Sequence, residues 1–320
     1  MPRIAVVLPA YNEESTLGAT IQAFRAALPE AEIWVIDNNS TDATRAVAVD
    51  TLREAGGVGG VIHEPRKGKG NAVRRAFMDI DADAYVLADA DLTYPADQAS
   101  LLLDPVLAGA VDMAVGDRHS AGNYAAENKR VLNGLGNRLV RSLVNGLFHS
   151  KLADIMSGYR VMSRRFVKNY PILSEGFEIE TEMTLHALDK RFRILEIPIN
   201  YRDRPEGSVS KLNTLQDGAR VVATIFHILR YYRPLLFFGG AAVLFFLLGL
   251  AAGMPVIEEW LRTRYINRIP LAILASGLEI IAILMAAIGL ILDSIAHQSK
   301  QDYERALLQD GERRCGCPGV

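Results

Sequence analysis

Short apolar runs alternate with longer segments of helical periodicity over the first 120 residues of the chain. Runs of this length that are bounded by turn residues are typical of buried strands. The predicted strands are Ile4–Leu8, Glu32–Ile36, Val58–His63, Ala84–Ala88 and Asp112–Val115. The predicted helices lie between them, near Glu14–Leu28, Asp42–Ala55, Gly70–Asp81 and Ala96–Leu107. Strands that alternate with helices predict an α/β domain with a mainly parallel, doubly wound sheet.

Two much longer apolar segments follow in the last third of the chain. Leu235–Ile257 contains no charged residue, and Ile269–Leu292 contains only Glu279. A helix needs about 20 predominantly apolar residues to cross a bilayer. We therefore expect two transmembrane helices joined by a short loop. Glu279 is expected to be either a functional polar group or a contact between the two helices.

The segment before the first apolar run is amphipathic. In Asp217–Arg233, apolar residues repeat at helical spacing, and Arg220, Arg230 and Arg233 are basic. This pattern favours a helix lying in the membrane interface, although a core helix of the preceding domain is an alternative.

Four regions follow from these patterns. A globular domain is expected over residues 1–215, an interfacial helix over 216–233, a two-helix membrane region over 234–293 and a tail over 294–320. The apolar run after Met1 is too short for a signal peptide. We therefore expect a multi-pass protein of the cell (inner) membrane, with its large domain in the cytoplasm.

Composition excludes several classes of protein. Half of the residues are hydrophobic and 22% are charged, which excludes a disordered or disulfide-stapled chain. Lysine and arginine number 35 against 37 acidic residues, so no overall basic field points to nucleic acid. The only cysteines, Cys315 and Cys317, are too close in sequence for an unstrained disulfide. A metal site, a lipidated tail and a disordered chain end are all open interpretations of that pair.

Polar side chains follow all five predicted strands. These strand-end segments are Pro9–Glu14, Asp37–Asp42, Arg66–Asn71, Asp89–Asp91 and Gly116–Arg118. The carboxyl ends of parallel strands meet at one edge of a sheet, which is where such sheets bind ligands. The sequence therefore predicts a cleft for a polar, anionic ligand.

Two of these ends suggest specific chemistry. Asp89 and Asp91 form an Asp-x-Asp pair, and Mg²⁺ is typically held by one or two carboxylates together with substrate phosphates. Lys67–Gly70 opens a helix with flexible backbone N–H groups and ammonium charges, both of which suit phosphate. The chain lacks the glycine-rich signatures of P-loop and dinucleotide-binding proteins, which weakens kinase and oxidoreductase hypotheses.

Together these segments resemble a known family. The runs LPAYNEE, VIDNNSTD, KGKG and ADADLTYP resemble the family 2 glycosyltransferases, which are inverting enzymes of GT-A fold. LADIMSGYR at 152–160 and RPEGSVSKL at 204–212 narrow the likeness to the polyprenyl-phosphate sugar synthases, such as the dolichol-phosphate mannose synthases. The likeness covers residues 3–295.

On the donor side, the resemblance implies a set of residues that bind the nucleotide sugar. They are Pro9, Tyr11, Glu13, Asp37, Asn39, Lys67, Lys69, Asp89, Arg204 and Lys211. Asp37 would accept a hydrogen bond from the base, and Asp91 would be the principal ligand of Mg²⁺ or Mn²⁺, with Asp89 beside it. Thr93 stands where relatives often carry glutamine, which puts that part of the metal shell in doubt.

On the acceptor side, the resemblance implies that Arg118, Arg138, Ser157 and Arg160 meet the acceptor phosphate. Asp89, Asp91, Arg118 and Asp154 form the expected catalytic set. Asp154 would orient the attacking oxygen or balance Arg160. Glu178 and Glu180 belong either to the acceptor side or to an ordinary helix face or edge strand.

The predicted function is transfer of a hexose-type sugar from a nucleotide sugar to undecaprenyl or dolichyl phosphate at the membrane. A phosphate acceptor is mostly ionised at pH 7 and needs little help from a base. The donor nucleotide is expected to be UDP or GDP, and the pair Asn38-Asn39 slightly favours UDP. A homo-oligomer such as a tetramer is left open. The alternatives are a sugar-nucleotide nucleotidyltransferase and a non-catalytic membrane assembly or transport protein.

Overall fold

A seven-stranded sheet forms the centre of the N-terminal part of this computed structural model, which describes residues 1–120, 131–176, 178–202, 225–226 and 228–315. The strands are β1 (Ile4–Ala10), β2 (Glu32–Asp37), β3 (Gly59–His63), β4 (Ala84–Leu87), β5 (Met113–Asp117), β6 (Arg160–Ser163) and β7 (Ile194–Pro198). Their order in the sheet is β3-β2-β1-β4-β6-β5-β7. The structure confirms the predicted fold class.

Helices connect these strands and continue beyond them. They are α1 (Leu17–Ala27), α2 (Thr44–Ala55), α3 (Lys69–Asp79), α4 (Ala99–Leu107), α5 (Val131–Phe148), α6 (Arg164–Asn169), α7 (Ile179–Asp189), α8 (Pro234–Thr263) and α9 (Ile269–Cys315). A short 3-10 helix, Ala96–Gln98, precedes α4. The N-cap residue of α2 is Ala43, which has no side-chain acceptor. The preceding residue, Asp42, accepts from the Thr44 N–H (3.0 Å) at the start of this helix.

The direction of each strand decides which loops meet. The neighbours β3, β2, β1 and β4 are all parallel, whereas β6 runs antiparallel to both β4 and β5. Two reversals restore the direction, so β5 points the same way as β4. The carboxyl ends of the five predicted strands therefore do share one edge. The start of β6 meets the same edge, because Arg160 is paired with Leu87 and with Val115.

Two strands were missing from the sequence prediction. β6 has only four residues, and its first residue is an arginine, so it lacks the apolar run that marks a buried strand. β7 is parallel to β5, and its register places Pro198 beside Asp117, at the shared edge. These two strands bring residues 154–159 and 199–202 to the same edge as the end of β4.

An apolar cluster between sheet and helices holds the edge in place. Val6, Leu8 and Val86 from the strands are fully buried, and Phe24 of α1 and Leu102 of α4 belong to the same cluster. Fully burying such side chains contributes about 1.5–3 kcal/mol each. This packing holds the strand ends in fixed positions, and a ligand site at the sheet edge needs such fixed side chains.

The chain divides into two compact units, Met1–Gly218 and Ala219–Val320. In the second unit, α8 and α9 are long and apolar enough to cross a membrane, with mean hydropathies of 2.5 and 2.4 over their most apolar windows. Small residues recur every seven positions where these helices meet. They are Ala242 and Gly249 in α8, and Ala275, Ala282 and Gly289 in α9.

Glu279 lies at this contact between the two helices. A Cβ atom built on Gly249 would lie 2.6 Å from Glu279 Oε1, so the glycine leaves room for the carboxyl group. This position supports the interpretation of Glu279 as a contact between the helices.

The helices run further than predicted. α8 ends at Thr263, so Glu258 and Arg262, which follow the predicted span Leu235–Ile257, lie in the helix and form an ion pair one helical turn apart (2.5 Å). α9 continues to Cys315, where a separate tail was expected, because residues 294–315 include many helix formers and no proline. Of the predicted interfacial helix, residues 225–226 and 228–232 are helical. Arg233 is the N-cap residue of α8, whereas residues 216–224, residue 227 and Cys317 lie outside the described residues.

Candidate active site

The Asp-x-Asp pair stands directly after β4, at the shared edge of the sheet. Asp89 is partly open, with 30% of its side chain exposed, and Asp91 is buried. Asp91 Oδ1 accepts hydrogen bonds from the hydroxyl of Thr93 (2.6 Å) and from its N–H (3.2 Å). Leu92 between them adopts a left-handed backbone (φ 63°). Thr93 therefore orients Asp91.

Lys69, the first residue of α3, is buried between two carboxylates. Its ammonium contacts Asp89 Oδ1 and lies 2.5 Å from Glu180 Oε1 of α7. Burial lowers the pKa of Lys69, but the charges of Asp89 and Glu180 outweigh it and raise the pKa, so the lysine is charged. The ammonium of Lys69 contacts only these two protein carboxylates among the contacts described above. The predicted contact of Lys69 with the nucleotide sugar stays a prediction. Glu180 is thus buried against Lys69 rather than exposed on a helix face, and its expected place on the acceptor side stays a prediction.

A second charged group lies beside the first. Arg118, just after β5, donates from Nε to Asp154 Oδ2 (2.7 Å) and from Nη2 to Asp154 Oδ1 (3.0 Å). Burial raises the pKa of Asp154, but the hydrogen bonds and charge of Arg118 outweigh it, so its pKa lies below the usual value. The guanidinium also lies 5.7 Å from the centre of the Tyr201 ring. The pair is therefore ionised and held rigidly.

Glu196 of β7 fixes the loop that carries Asp154. Its carboxylate accepts from the N–H groups of Ala153 and Asp154, each at 2.7 Å. Burial raises the pKa of Glu196 above its ordinary value. The sequence prediction passed over this residue, although a carboxylate within the apolar run ILEIP was a usable signal.

Tyr94 links the two charged groups. Its hydroxyl accepts from the N–H of Gly158 (2.9 Å), and its ring lies 5.5 Å from the ring of Tyr201, centre to centre. A Cβ atom on Gly158 would lie 3.0 Å from Lys69 Nζ and 3.2 Å from Asp89 Oδ2. Glycine at 158 thus lets the backbone pass close to Lys69 and Asp89. Tyr94 and Gly158 stood in the quoted motifs, but their spacing alone gave them no role.

Several predicted donor residues lie at the ends of β1 and β2 and in the loop before α3. Lys67 Nζ lies 3.2 Å from the Tyr11 hydroxyl and 5.2 Å from the centre of its ring. The side chain of Asn38 joins this loop to β2, because it donates to Arg66 O (2.6 Å) and accepts from Gly68 N (2.7 Å). A set of polar groups is thus held together where the sequence placed it.

Other predicted donor residues are bound to protein partners at the same edge. Asp37 is buried, and its carboxylate accepts from Ser40 N (3.1 Å) and meets His63 Nδ1 (3.1 Å). The Glu13 carboxylate accepts from the Thr16 hydroxyl (3.2 Å). Pro9 is paired with Ile36 across the sheet, and Asn39 has a left-handed backbone (φ 60°). Their contacts with a nucleotide stay predictions.

Two predicted phosphate ligands are fully buried at this edge. Arg160 has no exposed surface, and it donates from Nε to Ser157 O (2.8 Å) and from Nη2 to Ile155 O (2.9 Å). Ser157 is likewise fully buried. The structure therefore does not support acceptor-phosphate contacts for this pair. Instead, Arg160 ties down the backbone of the loop that carries Asp154, because a buried guanidinium must satisfy its donors.

Three further site residues were predicted from the sequence. Arg138 is an exposed residue of α5, and Arg204 and Lys211 lie outside the described residues. Their predicted roles are therefore untested.

The Asp89 and Asp91 pair fits a divalent cation of the Mg²⁺ type. Carboxylate oxygens are the preferred ligands of such ions, and Asp89 is partly exposed. Among the described residues, no three His, Cys, Asp or Glu side chains are grouped so as to hold a metal. Asp89 and Asp91 would supply two carboxylates, and oxygens of a bound phosphate ligand would add to the shell, as is usual for Mg²⁺.

Comparison with known proteins agrees with these features. Residues 5–170 match the family described as glycosyl transferase family 2. The glycosyltransferase AglJ of Haloferax volcanii is 30% identical over 303 residues, which is 94% of this chain and 96% of that protein. An undecaprenyl-phosphate mannosyltransferase of Micrococcus luteus is 29% identical over 230 residues, covering 69% of this chain and 91% of that protein.

A likeness also exists among solved structures. The glucosyl-3-phosphoglycerate synthase of Mycobacterium tuberculosis, crystallised with Mn²⁺ and uridine-diphosphate-glucose, superposes with a TM-score of 0.54 at 23% identity. The match covers 71% of this chain and 78% of that one. At this identity the likeness establishes the fold alone.

Proposed function

Because this chain belongs to glycosyl transferase family 2, we propose that it moves a hexose from a nucleotide sugar to a polyprenyl phosphate at the cytoplasmic face of a membrane. The observation that carries the proposal is the meeting of two charged groups at one sheet edge. The Asp89 and Asp91 carboxylates stand on one side, and the Arg118–Asp154 pair stands on the other. The carboxylates would bind the donor diphosphate through a divalent cation, and the arginine would bind the acceptor phosphate. Transfer between the two ligands needs these two sites to be neighbours.

The donor side would use the carboxylates and the loop before α3. Mg²⁺ or Mn²⁺ bound by Asp91 and Asp89 would stabilise the negative charge that develops on the departing diphosphate. UDP is the proposed nucleotide, in line with the ligand of the mycobacterial structure. Lys67 and Tyr11 lie at the edge where the nucleotide would enter.

The acceptor side would use Arg118. Two hydrogen bonds to Asp154 and the ring of Tyr201 fix the guanidinium, so little entropy is lost when it binds an anion. Both oxygens of Asp154 accept from Arg118, and the pKa of Asp154 is lowered. Asp154 is therefore a poor base, and its proposed role is to orient Arg118. An ionised phosphate oxygen attacks the anomeric carbon without giving up a proton, with inversion of configuration.

The second unit supports a lipid acceptor. Its two apolar helices would anchor the chain in a membrane, where a polyprenyl phosphate presents its head group at the surface. The relative from Micrococcus luteus bears the name of an enzyme acting on an undecaprenyl-linked phosphate. Family membership favours sugar transfer over the alternatives of nucleotidyl transfer and a non-catalytic role.

The test uses membranes that contain the full chain. They are incubated with Mn²⁺, undecaprenyl phosphate and either labelled UDP-glucose or labelled GDP-mannose, and lipid-extractable label is counted. We expect transfer from one of these donors and a loss of about a hundredfold or more in Asp91→Ala. The matched control is Asp97→Ala, an exposed carboxylate of the following 3-10 helix, which should keep wild-type activity. No transfer from any sugar nucleotide, or full activity of Asp91→Ala in EDTA, would overturn the proposal.

A further inference from the structure

Lys69 holds two acidic residues that come from distant parts of the chain. Its ammonium touches Asp89 after β4 and Glu180 near the start of α7. The side chains of Lys69 and Glu180 are 8% and 7% exposed, whereas that of Asp89 is 30% exposed. The buried part of the group is therefore the Lys69–Glu180 pair, and Asp89 is the member that faces outward.

A cation bound by Asp89 would compete with Lys69. Asp89 Oδ1 already accepts from the ammonium, so a divalent ion on this carboxylate and the ammonium share the same negative charge. Bringing two cations to one carboxylate is unfavourable unless one of them has another partner. Glu180 is that other partner, since its Oε1 lies 2.5 Å from Lys69 Nζ.

The position of Glu180 is fixed independently of Asp89. In α7, the Thr184 hydroxyl donates to Ile155 O (3.1 Å), which ties the helix to the loop before β6. The segment before α7 is tied to α3, because Gly70 N donates to Glu175 O (3.0 Å). Glu180 can therefore hold the ammonium in place while Asp89 changes partner.

We propose that Glu180, acting through Lys69, sets the affinity of the Asp89 and Asp91 pair for a divalent cation. Glu180 is a positioning residue in this scheme, since it touches Lys69 and not the cation. The inference rests on the proposed function, because it assumes that these carboxylates bind Mg²⁺ or Mn²⁺. It predicts that loss of the Glu180 charge leaves Asp89 as the only carboxylate that neutralises Lys69, and so weakens cation binding.

The experiment measures binding of Mn²⁺ alone, without a sugar donor. The purified full chain in detergent is titrated with Mn²⁺, and the free ion is followed by electron paramagnetic resonance. Glu180→Gln keeps the shape of the side chain and removes its charge, and we expect the Kd for Mn²⁺ to rise about fivefold or more. Lys69→Met removes the competing cation, so its Kd should fall below that of the wild type.

The control is Glu182→Gln, which removes the same charge from the same helix. Glu182 accepts from Ser174 N (3.1 Å), so this variant tests whether removing any negative charge from α7 weakens Mn²⁺ binding. We expect this variant to bind Mn²⁺ like the wild type. Equal Kd values for Glu180→Gln and Glu182→Gln would overturn the inference, as would weaker binding in Lys69→Met. If Lys69→Met does not fold, the comparison of the two glutamine variants decides alone.

Failure of the underlying function gives a different result. If the wild type binds no Mn²⁺, the proposed metal site is wrong and the inference falls with it. If the wild type binds Mn²⁺ and Glu180→Gln binds it equally well, only the inference is wrong.

Discussion

Arg118 and Asp154 form a two-point ion pair across 36 residues of sequence, with Nε–Oδ2 and Nη2–Oδ1 distances of 2.7 and 3.0 Å. Only 12% of the arginine side chain and 2% of the aspartate side chain are exposed. Removing one partner from such a buried pair leaves an uncompensated charge, at a cost of about 3–5 kcal/mol. The pair therefore decides both the stability of this edge and the position of the arginine.

Asp154→Asn should accordingly be strongly destabilised and nearly inactive. We expect a lower Tm and a higher KM for the polyprenyl phosphate, because Arg118 loses its orienting partner. The control is Asp79→Asn, which breaks the more exposed ion pair with Arg75 and should cost about 0.5 kcal/mol or less. An Asp154→Asn variant that melts and turns over like the wild type would show that Arg118 needs no partner.

Gly158→Ala should lower transfer activity with little change in folding. Its methyl group would lie 3.0 Å from Lys69 Nζ, 3.2 Å from Asp89 Oδ2 and 3.3 Å from the Tyr94 hydroxyl, so these groups must shift. We expect kcat to fall about tenfold, since small displacements of reacting groups are costly. Gly146→Ala on α5, where nothing lies within 4 Å, is the matched control and should be active. Unchanged kcat in Gly158→Ala would mean that this approach does not matter for the reaction.

His186 should make stability depend on pH in the acid range. Burial among Phe166, Tyr170 and Phe192 lowers the pKa of His186 to about 4, from about 6.5 in the unfolded chain. Between these values the unfolded state binds more protons, so stability falls as the pH drops from about 6.5 to about 4. The loss is at most about 3 kcal/mol.

The measurement is the Tm of the wild type and of His186→Phe, followed by tryptophan fluorescence from pH 8 to pH 4.5. The wild type should lose more Tm than the variant over this interval, because phenylalanine cannot take up a proton. Parallel curves for the two proteins would contradict a buried neutral histidine.

Gly249→Ala should weaken the contact between α8 and α9. The added methyl group would lie 2.6 Å from Glu279 Oε1, so the carboxyl group or the helix must move. Gly240→Ala on the same helix meets nothing within 4 Å and is the matched control. We expect only the first variant to unfold at a lower denaturant concentration in detergent, as followed by circular dichroism. Equal unfolding of both variants would show that the helices do not pack closely there.

Local pattern predicted well which strand ends meet at the shared edge of the sheet. β1 to β5 are regular strands with apolar runs, and parallel connections are right-handed, so their ends had to meet at one edge. Asp89, Asp91, Tyr11 and Lys67 therefore appear where the sequence placed them. The two apolar helices were also predicted from the sequence, because length and hydropathy show whether a helix is long and apolar enough to cross a membrane.

The position of the residues around β6 was decided by the tertiary structure. A four-residue strand that starts with Arg160 and runs against its neighbours gives no periodic signal, yet its reversal carries Asp154 and Gly158 to the end of β4. Partners then distinguish basic residues that sequence cannot separate: Arg118, which is 12% exposed, pairs with the Asp154 carboxylate, whereas the fully buried Arg160 donates to backbone carbonyl groups. The chain's pattern fixes which residues are polar, but only the packing of distant strands fixes which charges neutralise one another.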